Sequence, residues 1–319
     1  MKLRLLAAAI VLATAAPLAH AADWPSRPIH FIVPFPAGGS TDVAARLIGD
    51  HVSRSLGQPV VVEDKSGANG NIGTEYAVKS APDGYTVLIA SDSVSTNPHI
   101  YRLTFDPVQG LVPVIEVSHQ PIVLAAHPSL GVNSLAELTA KVKQQPGMRF
   151  GTGSGVGSPQ ALTALWYAKL AGINLVQVPY RGGAPAINDL VAGTVQLGSL
   201  GSTPLIPHYK SGGLKMLAQS GPTRSPTLPD VPTFRESGLE ALVLEQRIGV
   251  LVPKGTPADV VMRLNSTINA ALRDEKLREL LSDQAQDAAG GTSEQYSRLL
   301  QTDSDLVARL VKELNVEVQ

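Results

Sequence analysis

The tightest constraint on the fold of this 319-residue chain is a strand-to-helix unit that occurs twice. Val33-Pro34-Phe35-Pro36-Ala37-Gly38-Gly39 is echoed by Val178-Pro179-Tyr180-Arg181-Gly182-Gly183, one residue shorter. Each follows an apolar strand-like run, residues 29–33 and 175–178, and each opens an amphipathic helix. Glycines at such a turn let bare backbone approach a ligand closely. The helix start behind them offers unpaired N–H donors at the positive end of a dipole. One such turn is an anion seat; two, in separate halves of the chain, read as a pair of jaws.

Strand and helix signals alternate along the whole sequence, which predicts α/β architecture with largely parallel sheets. Strands are expected at residues 29–33, 60–63, 85–90, 122–126, 148–150, 175–178, 195–200 and 249–252. Ser40 or Thr41 is placed to cap a helix that Gly57 ends, and Ser134 with Glu137 reads as a capping box. Helices are also expected over 72–79, up to about residue 170, over 186–191, and through most of the chain after residue 253. The run 249–252 looks like a strand returning to the first unit. The expectation is therefore a discontinuous first domain (22–119 plus 247–319) and an inserted second domain (120–246). Each would be a mainly parallel sheet flanked by helices, with two crossings near residues 115–122 and 244–249. A chain of this length exceeds what one core usually holds, which fits two domains.

The first residues bear on compartment. Lys2 and Arg4 precede an apolar stretch over 5–18, and Ala19-His20-Ala21 is a small-residue cleavage pattern, so removal after Ala21 and export to the periplasm are expected. That stretch is short for a membrane span and no later one approaches it. The chain has no cysteine, which excludes disulfides and a lipidated N-terminal Cys. Residues 1–21 hold two of the 26 basic side chains and no acid, leaving 24 basic against 27 acidic groups. Such a slightly acidic chain lacks the basic face of a nucleic-acid binder. Affinity for an anion must then be local.

Candidate sites follow from the loops. In the first jaw, Phe35, Ala37, Gly38, Gly39, Ser40 and Thr41 form a turn pre-set by Pro34 and Pro36, and Asp42 suits the first turn of the following helix. Ser91 closes a strand at the end where an open α/β sheet places ligand loops. The stretch Gly151-Thr152-Gly153-Ser154-Gly155-Val156-Gly157-Ser158 imitates several motifs without matching them. Val156 and Ser158 stand where a dinucleotide fingerprint needs glycine, no Gly-Lys-Ser/Thr follows, and Thr152 and Val156 replace the glycines of a nucleophile elbow. What remains is a donor-rich turn before a helix, with Ser154, Gly155, Gly157 and Ser158 as ligand candidates. In the second jaw, Arg181 can pair a carboxylate bidentately, beside Gly182, Gly183 and Ala184. Arg247 lies at an expected crossing, facing solvent or a cleft. The histidines show no metal-ligand spacing, so neither a metal nor a cofactor is expected.

The opening string Pro25-x-Arg27-Pro28-Ile29 … Val33-Pro34-Phe35-Pro36-Ala37-Gly38-Gly39-Ser40-Thr41-Asp42 resembles that of the Bug-type extracytoplasmic solute receptors of tripartite tricarboxylate transporters. The likeness runs on through Gly67-Ala68-Asn69-Gly70-Asn71-Ile72-Gly73, Ala81-Pro82-Asp83-Gly84-Tyr85-Thr86 and Val178-Pro179-Tyr180-Arg181-Gly182-Gly183-Ala184-Pro185-Ala186. It ends with Leu228-Pro229-Asp230-Val231-Pro232-Thr233 and Gly255-Thr256-Pro257, covering essentially the whole mature chain in order. The resemblance implies a two-domain periplasmic-binding-protein (Venus-flytrap) fold that closes on a small carboxylated solute. It assigns carboxylate contacts to residues 37–41, 154–158 and 181–184.

Three positions depart from the pattern of the family: Gln160 where a His is frequent, Leu200-Gly201-Ser202 where an acid is frequent, and Arg247 where an aromatic is frequent. Loss of an acid together with Arg247 predicts discrimination against an amino-acid ammonium and in favour of a second anionic group. The resemblance implies a non-enzymatic receptor, by default a monomer, that delivers its solute to the membrane subunits of a transporter. A ligand-sensing partner of a signalling receptor would share the same pocket. A periplasmic serine hydrolase using Ser154 or Ser158 would need a base that no motif supplies.

Overall fold

The computed structural model describes residues 24–317; the expected leader, with cleavage after Ala21, lies outside the described residues. The chain begins with β1 (Ile29–Val33), α1 (Ser40–Leu56), β2 (Val60–Asp64), α2 (Asn71–Val78) and β3 (Thr86–Ser91). Two short helices, α3 (Ser93–Thr96) and α4 (Pro107–Gly110), lead into the long strand β4 (Leu111–Ala126). The second set is α5 (Leu135–Gln144), β5 (Met148–Thr152), α6 (Pro159–Ala171), β6 (Leu175–Pro179), α7 (Gly183–Val191), β7 (Leu197–Gly201), α8 (Ile206–Lys210) and β8 (Lys215–Gln219). The chain returns through β9 (Glu245–Pro253) to α9 (Ala258–Ala271), α10 (Glu275–Ser282), β10 (Asp287–Ala288) and α11 (Ser293–Glu313).

This is an α/β fold with a mixed, curled sheet. The strand order is β2-β1-β3-β9-β4-β7-β5-β6, with β8 and β10 also joined to β4. Parallel pairing is confined to β2-β1-β3 and β6-β5-β7, the two sets of βα units legible in the sequence. Every pairing through β4 or β9 is antiparallel, because these strands carry the chain from one set to the other and back. β1 reads Ile-His-Phe-Ile-Val and is almost wholly buried, as a strand covered by helices on both faces should be.

β4 changes partners midway. Residues 111–121 pair with β9, and Ile122 onward pairs with β7 and, from Val123, with β8. The change falls at Pro121, which has no N–H to continue the β9 ladder. Two register shifts, between Pro113 and Ile115 and between Glu116 and Ser118, bend the strand before it crosses. α11 makes a third passage. Its Tyr296 and Leu300 pack on the core of the first strand set, whereas Val307, Leu310 and Val311 join Phe150, Leu162 and Tyr167 in the second.

Candidate functional site

The loops that leave the carboxyl ends of the parallel strands converge from the two sets. Residues 34–39 follow β1, 65–70 follow β2, 153–158 follow β5, and 180–182 follow β6. α1, α2 and α7 are all N-capped by glycine, at Gly39, Gly70 and Gly182, and none receives a side-chain cap. By contrast α5, α6, α10 and α11 are capped by Ser134, Ser158, Asp274 and Thr292. Ser40 and Thr41 are thus inside α1 rather than capping it. Without a side-chain cap such starts keep orphan N–H donors, and those of α1 (Gly39, Ser40, Thr41) and α7 (Gly182, Gly183) line the gap between the loops.

The two echoed motifs touch there. A Cβ on Gly182 (φ 122°) would lie 3.0 Å from Cγ of Pro36, so only bare backbone lets the second jaw meet the first. Asn69 bridges the same gap: its Oδ1 accepts the Gly155 N–H at 3.1 Å, while its Nδ2 donates to Oδ1 of Asn97 at 2.9 Å. Asn69 has φ 52°, a left-handed conformation that asparagine tolerates better than most residues.

Between these loops lie two adjoining chambers. The outer is a cavity of about 590 Å³ walled by Phe35, Pro36, the 66–70 loop, Gly153 to Gly155 and Pro179 to Gly182. The inner, of about 40 Å³, is bounded by Gly39, Ser40, Thr41, Gly182, Gly183, Gln160, Gln246 and the end of β7. A water needs roughly 10–15 Å³ by the same measure, so the chamber has room for a small polar group. Phe35, Pro36, Gly153, Ser154 and Gly182 line both chambers.

The inner chamber is rich in donors. Gln160 is 8 % exposed, and its Oε1 accepts the Gly153 N–H at 2.8 Å, which turns Nε2 away from any protein acceptor. Gln246 Oε1 accepts from Gln120 Nε2 at 2.9 Å and likewise leaves its own Nε2 without a protein acceptor. No acid lines either chamber, and the one charged side chain that does is Arg181. Tyr180 presents its ring, because its hydroxyl is taken up by Asp189 at 2.7 Å; burial and that carboxylate push its pKa up to about 12.

Of the residues singled out in the sequence, Phe35, Gly39, Ser40, Thr41, Ser154, Gly155, Arg181, Gly182 and Gly183 line the chambers. The others lie elsewhere. Ala37 and Gly38 are exposed at the loop tip, and the Gly38 N–H goes to Asp42 Oδ2 at 2.9 Å. Ser91 is buried in β3 opposite Ile248. Gly157 packs on Ile100, Ser158 caps α6 through the Ala161 N–H, and Ala184 is exposed on α7.

Arg247 does not face the cleft. Its guanidinium sits 2.9 Å from Glu116, 2.9 Å from Asp303 and 3.6 Å from Glu245, and its backbone N–H donates to Asp92 at 2.8 Å. Burial opposes its charge, but Asp303 and Glu116 outweigh that and raise its pKa. The expectation that Arg247 supplies a second anion contact is therefore corrected: successive strand residues point to opposite faces, and it is Gln246 that reaches the inner chamber. Gln160, Gln246 and Asn69 are the site residues missed as ligand candidates; only Asn69, next to Gly70, stands beside a glycine that could have signalled it.

The family model for the tripartite tricarboxylate transporter family receptor matches residues 44–316. The chain belongs to that family. It is 36 % identical over 308 residues to protein BugT of Bordetella pertussis, covering 96 % of this chain and 94 % of that one. The structure of the periplasmic binding protein BugD superposes with a TM-score of 0.87 at 33 % identity, over 93 % of this chain and 100 % of BugD. A protein of R. palustris solved with adipate superposes with a TM-score of 0.89 at 30 % identity, over 92 % and 99 % of the two chains. The family and these neighbours are solute-binding receptors of the periplasm, not enzymes, so the serine-hydrolase alternative falls. Among the described residues no group of three or more His, Asp or Glu is placed to hold a metal ion.

Proposed function

We propose that this chain is an exported receptor that closes on a small carboxylate and passes it to the membrane subunits of a tripartite tricarboxylate-type transporter. One observation carries the reading: the inner chamber joins two glycine-capped helix starts, one from each strand set, with two unpartnered amide donors and no acid. A carboxylate oxygen fits that volume, and the donors and dipoles favour negative charge. The adipate held by the R. palustris relative is a carboxylate of the same kind.

The proposed lobes are residues 22–119 with 247–319 and residues 120–246, the last turns of α11 riding on the second. Closure would turn about β4, β9 and α11, and the solute would favour the closed form because only there do both helix starts reach it. The chain would act as a monomer in the periplasm, its leader cut after Ala21. The proposed carboxylate-binding residues are Gly39, Ser40, Thr41, Ser154, Gly182 and Gly183 together with Gln160 and Gln246.

The test is thermal unfolding of the mature chain with mono-, di- and tricarboxylates, amino acids and neutral sugars. A carboxylate present at a thousand times its Kd should add roughly 4 kcal/mol of stability, a rise of several degrees or more. A shift with a neutral sugar and none with any carboxylate would refute the proposal.

A further inference from the structure

Three glutamines from distant parts of the chain form one hydrogen-bond relay beside the inner chamber. Gln120 on β4 lies opposite Gln246 on β9, and Gln286 follows α10. Gln120 and Gln286 are completely buried. Gln286 Nε2 donates to the Ser40 carbonyl at 3.1 Å and to Thr203 Oγ1 at 3.4 Å, while its Oε1 accepts from Ser118 Oγ at 2.8 Å. Gln120 Oε1 accepts from Thr203 Oγ1 at 2.7 Å, from the Thr203 N–H at 3.1 Å and from Ser202 Oγ at 3.2 Å. Its Nε2 donates to Gln246 Oε1 at 2.9 Å.

A side-chain amide can turn end for end, exchanging an acceptor for a donor. Backbone groups remove that freedom here. The Thr203 N–H can only donate, so the end of Gln120 beside it is the oxygen. The Ser40 carbonyl can only accept, so the end of Gln286 beside it is the nitrogen; that nitrogen also donates to Thr203 Oγ1, which leaves the hydroxyl hydrogen for Gln120. The nitrogen of Gln120 then requires the oxygen of Gln246, because two amide nitrogens facing each other would strand a buried donor. Gln246 keeps its own nitrogen for the open side. Among the described residues, the buried side-chain atoms without a partner do not include that nitrogen, so it reaches open space. The space is the inner chamber: Gln246 and Gly201 both line it, and a Cβ on Gly201 would lie 2.6 Å from Gln246 Oε1 and 2.9 Å from Gln120 Nε2.

We propose that Gln120 is a positioning residue for the seat, holding Gln246 so that an amide nitrogen and not an oxygen faces the inner chamber. This rests on the carboxylate-receptor reading above. Gln120 itself lines neither chamber and acts only through Gln246. An amide free to turn would offer a carboxylate its oxygen as readily as its nitrogen; the relay settles the choice before the solute arrives, so binding carries no reorientation cost. Gln160 is set the same way but directly, by the Gly153 N–H.

The test is isothermal titration of the mature chain with acetate, succinate, adipate and citrate. The tightest of these is then titrated into Gln120→Leu, Gln246→Leu and the double variant, each first checked for folding by circular dichroism. Either single change should weaken binding about tenfold or more, the worth of a hydrogen bond to a charged group. The double variant should bind within about threefold of Gln246→Leu alone, because the two residues act as one unit. A residue that only supported the fold would lower affinity by the same factor in both backgrounds. Unchanged affinity in Gln120→Leu, or losses that multiply in the double variant, overturns the positioning role and leaves the receptor reading intact. Gln120→Leu strands the Thr203 N–H, so should it fail to fold, wild type alone decides by proton–nitrogen NMR of the side-chain amides, with the Gln246 signals assigned by their absence in Gln246→Leu. Those signals should move on saturation with the carboxylate; signals that stay in place overturn the positioning role. Failure of all four carboxylates to bind folded wild type overturns both readings.

Discussion

Replacing Arg247 by methionine should unfold this protein more readily than any single change in the cleft, and the effect should depend on pH. The side chain is 18 % exposed and sits among Glu116, Asp303 and Glu245, which are 7, 15 and 14 % exposed. Two of these contacts are at 2.9 Å. At an effective dielectric of 20, charges about 4 Å apart attract by about 4 kcal/mol, but burial of both partners takes back much of that. The relevant quantity is the cost of leaving the carboxylates without their cation, about 3–5 kcal/mol for one broken buried pair. At roughly 2 °C per kcal/mol for a chain this long, Tm should fall by about 6–10 °C at pH 7.5. The orphaned acids can protonate, so the loss should shrink toward pH 4.5. The sign agrees with the native state: Glu116 is lowered below its ordinary value because His119 and Arg247 outweigh its burial, so its contribution is present above that value and lost on acidification. Urea denaturation of Arg247→Met, Glu116→Gln and the double variant at both pH values is the assay. The double variant should lose less than the sum of the singles. A loss below 1 kcal/mol at pH 7.5, or an equal loss at both pH values, would refute the reasoning.

Three other outcomes are expected. Burial, and then the neighbouring Asp303, push the Asp92 carboxyl up to about 8; the unfolded chain ionises first, so the contribution of Asp92 to stability should fall as pH rises from about 4 toward 8. Asp92→Asn, which keeps an oxygen for the Arg247 N–H, should therefore exceed wild type in urea midpoint at pH 8 and match it near pH 4. Asn69→Gly keeps the left-handed backbone but loses the bond across the cleft to Gly155; titration with the best-bound carboxylate should show affinity about fivefold weaker, the worth of about 1 kcal/mol. Leu310→Ala, in the part of α11 that packs on the second core, should cost about 2–5 kcal/mol in urea unfolding; a loss under 1 kcal/mol would mean that α11 does not fasten the two strand sets together.

The parallel βα units were legible because buried strands and amphipathic helices leave strong periodic signals. The crossings were less so. A proline ordinarily argues against a strand interior, yet Pro113 and Pro121 both lie inside the 16-residue β4, where bulges and a change of partner absorb them. β10 has two residues and carries no pattern at all. β9 begins at Glu245, four residues before the expected strand, so alternation could not assign Gln246 and Arg247 to opposite faces in advance. The apolar stripe of α11 was visible, but periodicity does not say that Leu300 and Leu310 belong to different cores. Gln160 and Gln246 matter for what folding leaves over: one amide oxygen is used and one amide nitrogen is not, a property no local sequence displays.

The cleft takes its electrostatics mainly from backbone and amides, and this choice suits capture followed by release. A fixed ion pair at the inner seat would hold an anion in the open form as well as the closed one. A ligand with equal affinity for two states shifts neither. Here the first jaw contributes the start of α1 and the second the start of α7, and Pro36 and Gly182 both line the inner chamber. Each half alone offers a single helix start open to water, a weak anion seat. Brought together in a closed cleft that excludes water, the same donors would act in a drier setting and strengthen. Under the proposed receptor function, the differential affinity that would drive closure follows from dividing the seat between two copies of one strand-to-helix motif, the feature most evident in the sequence.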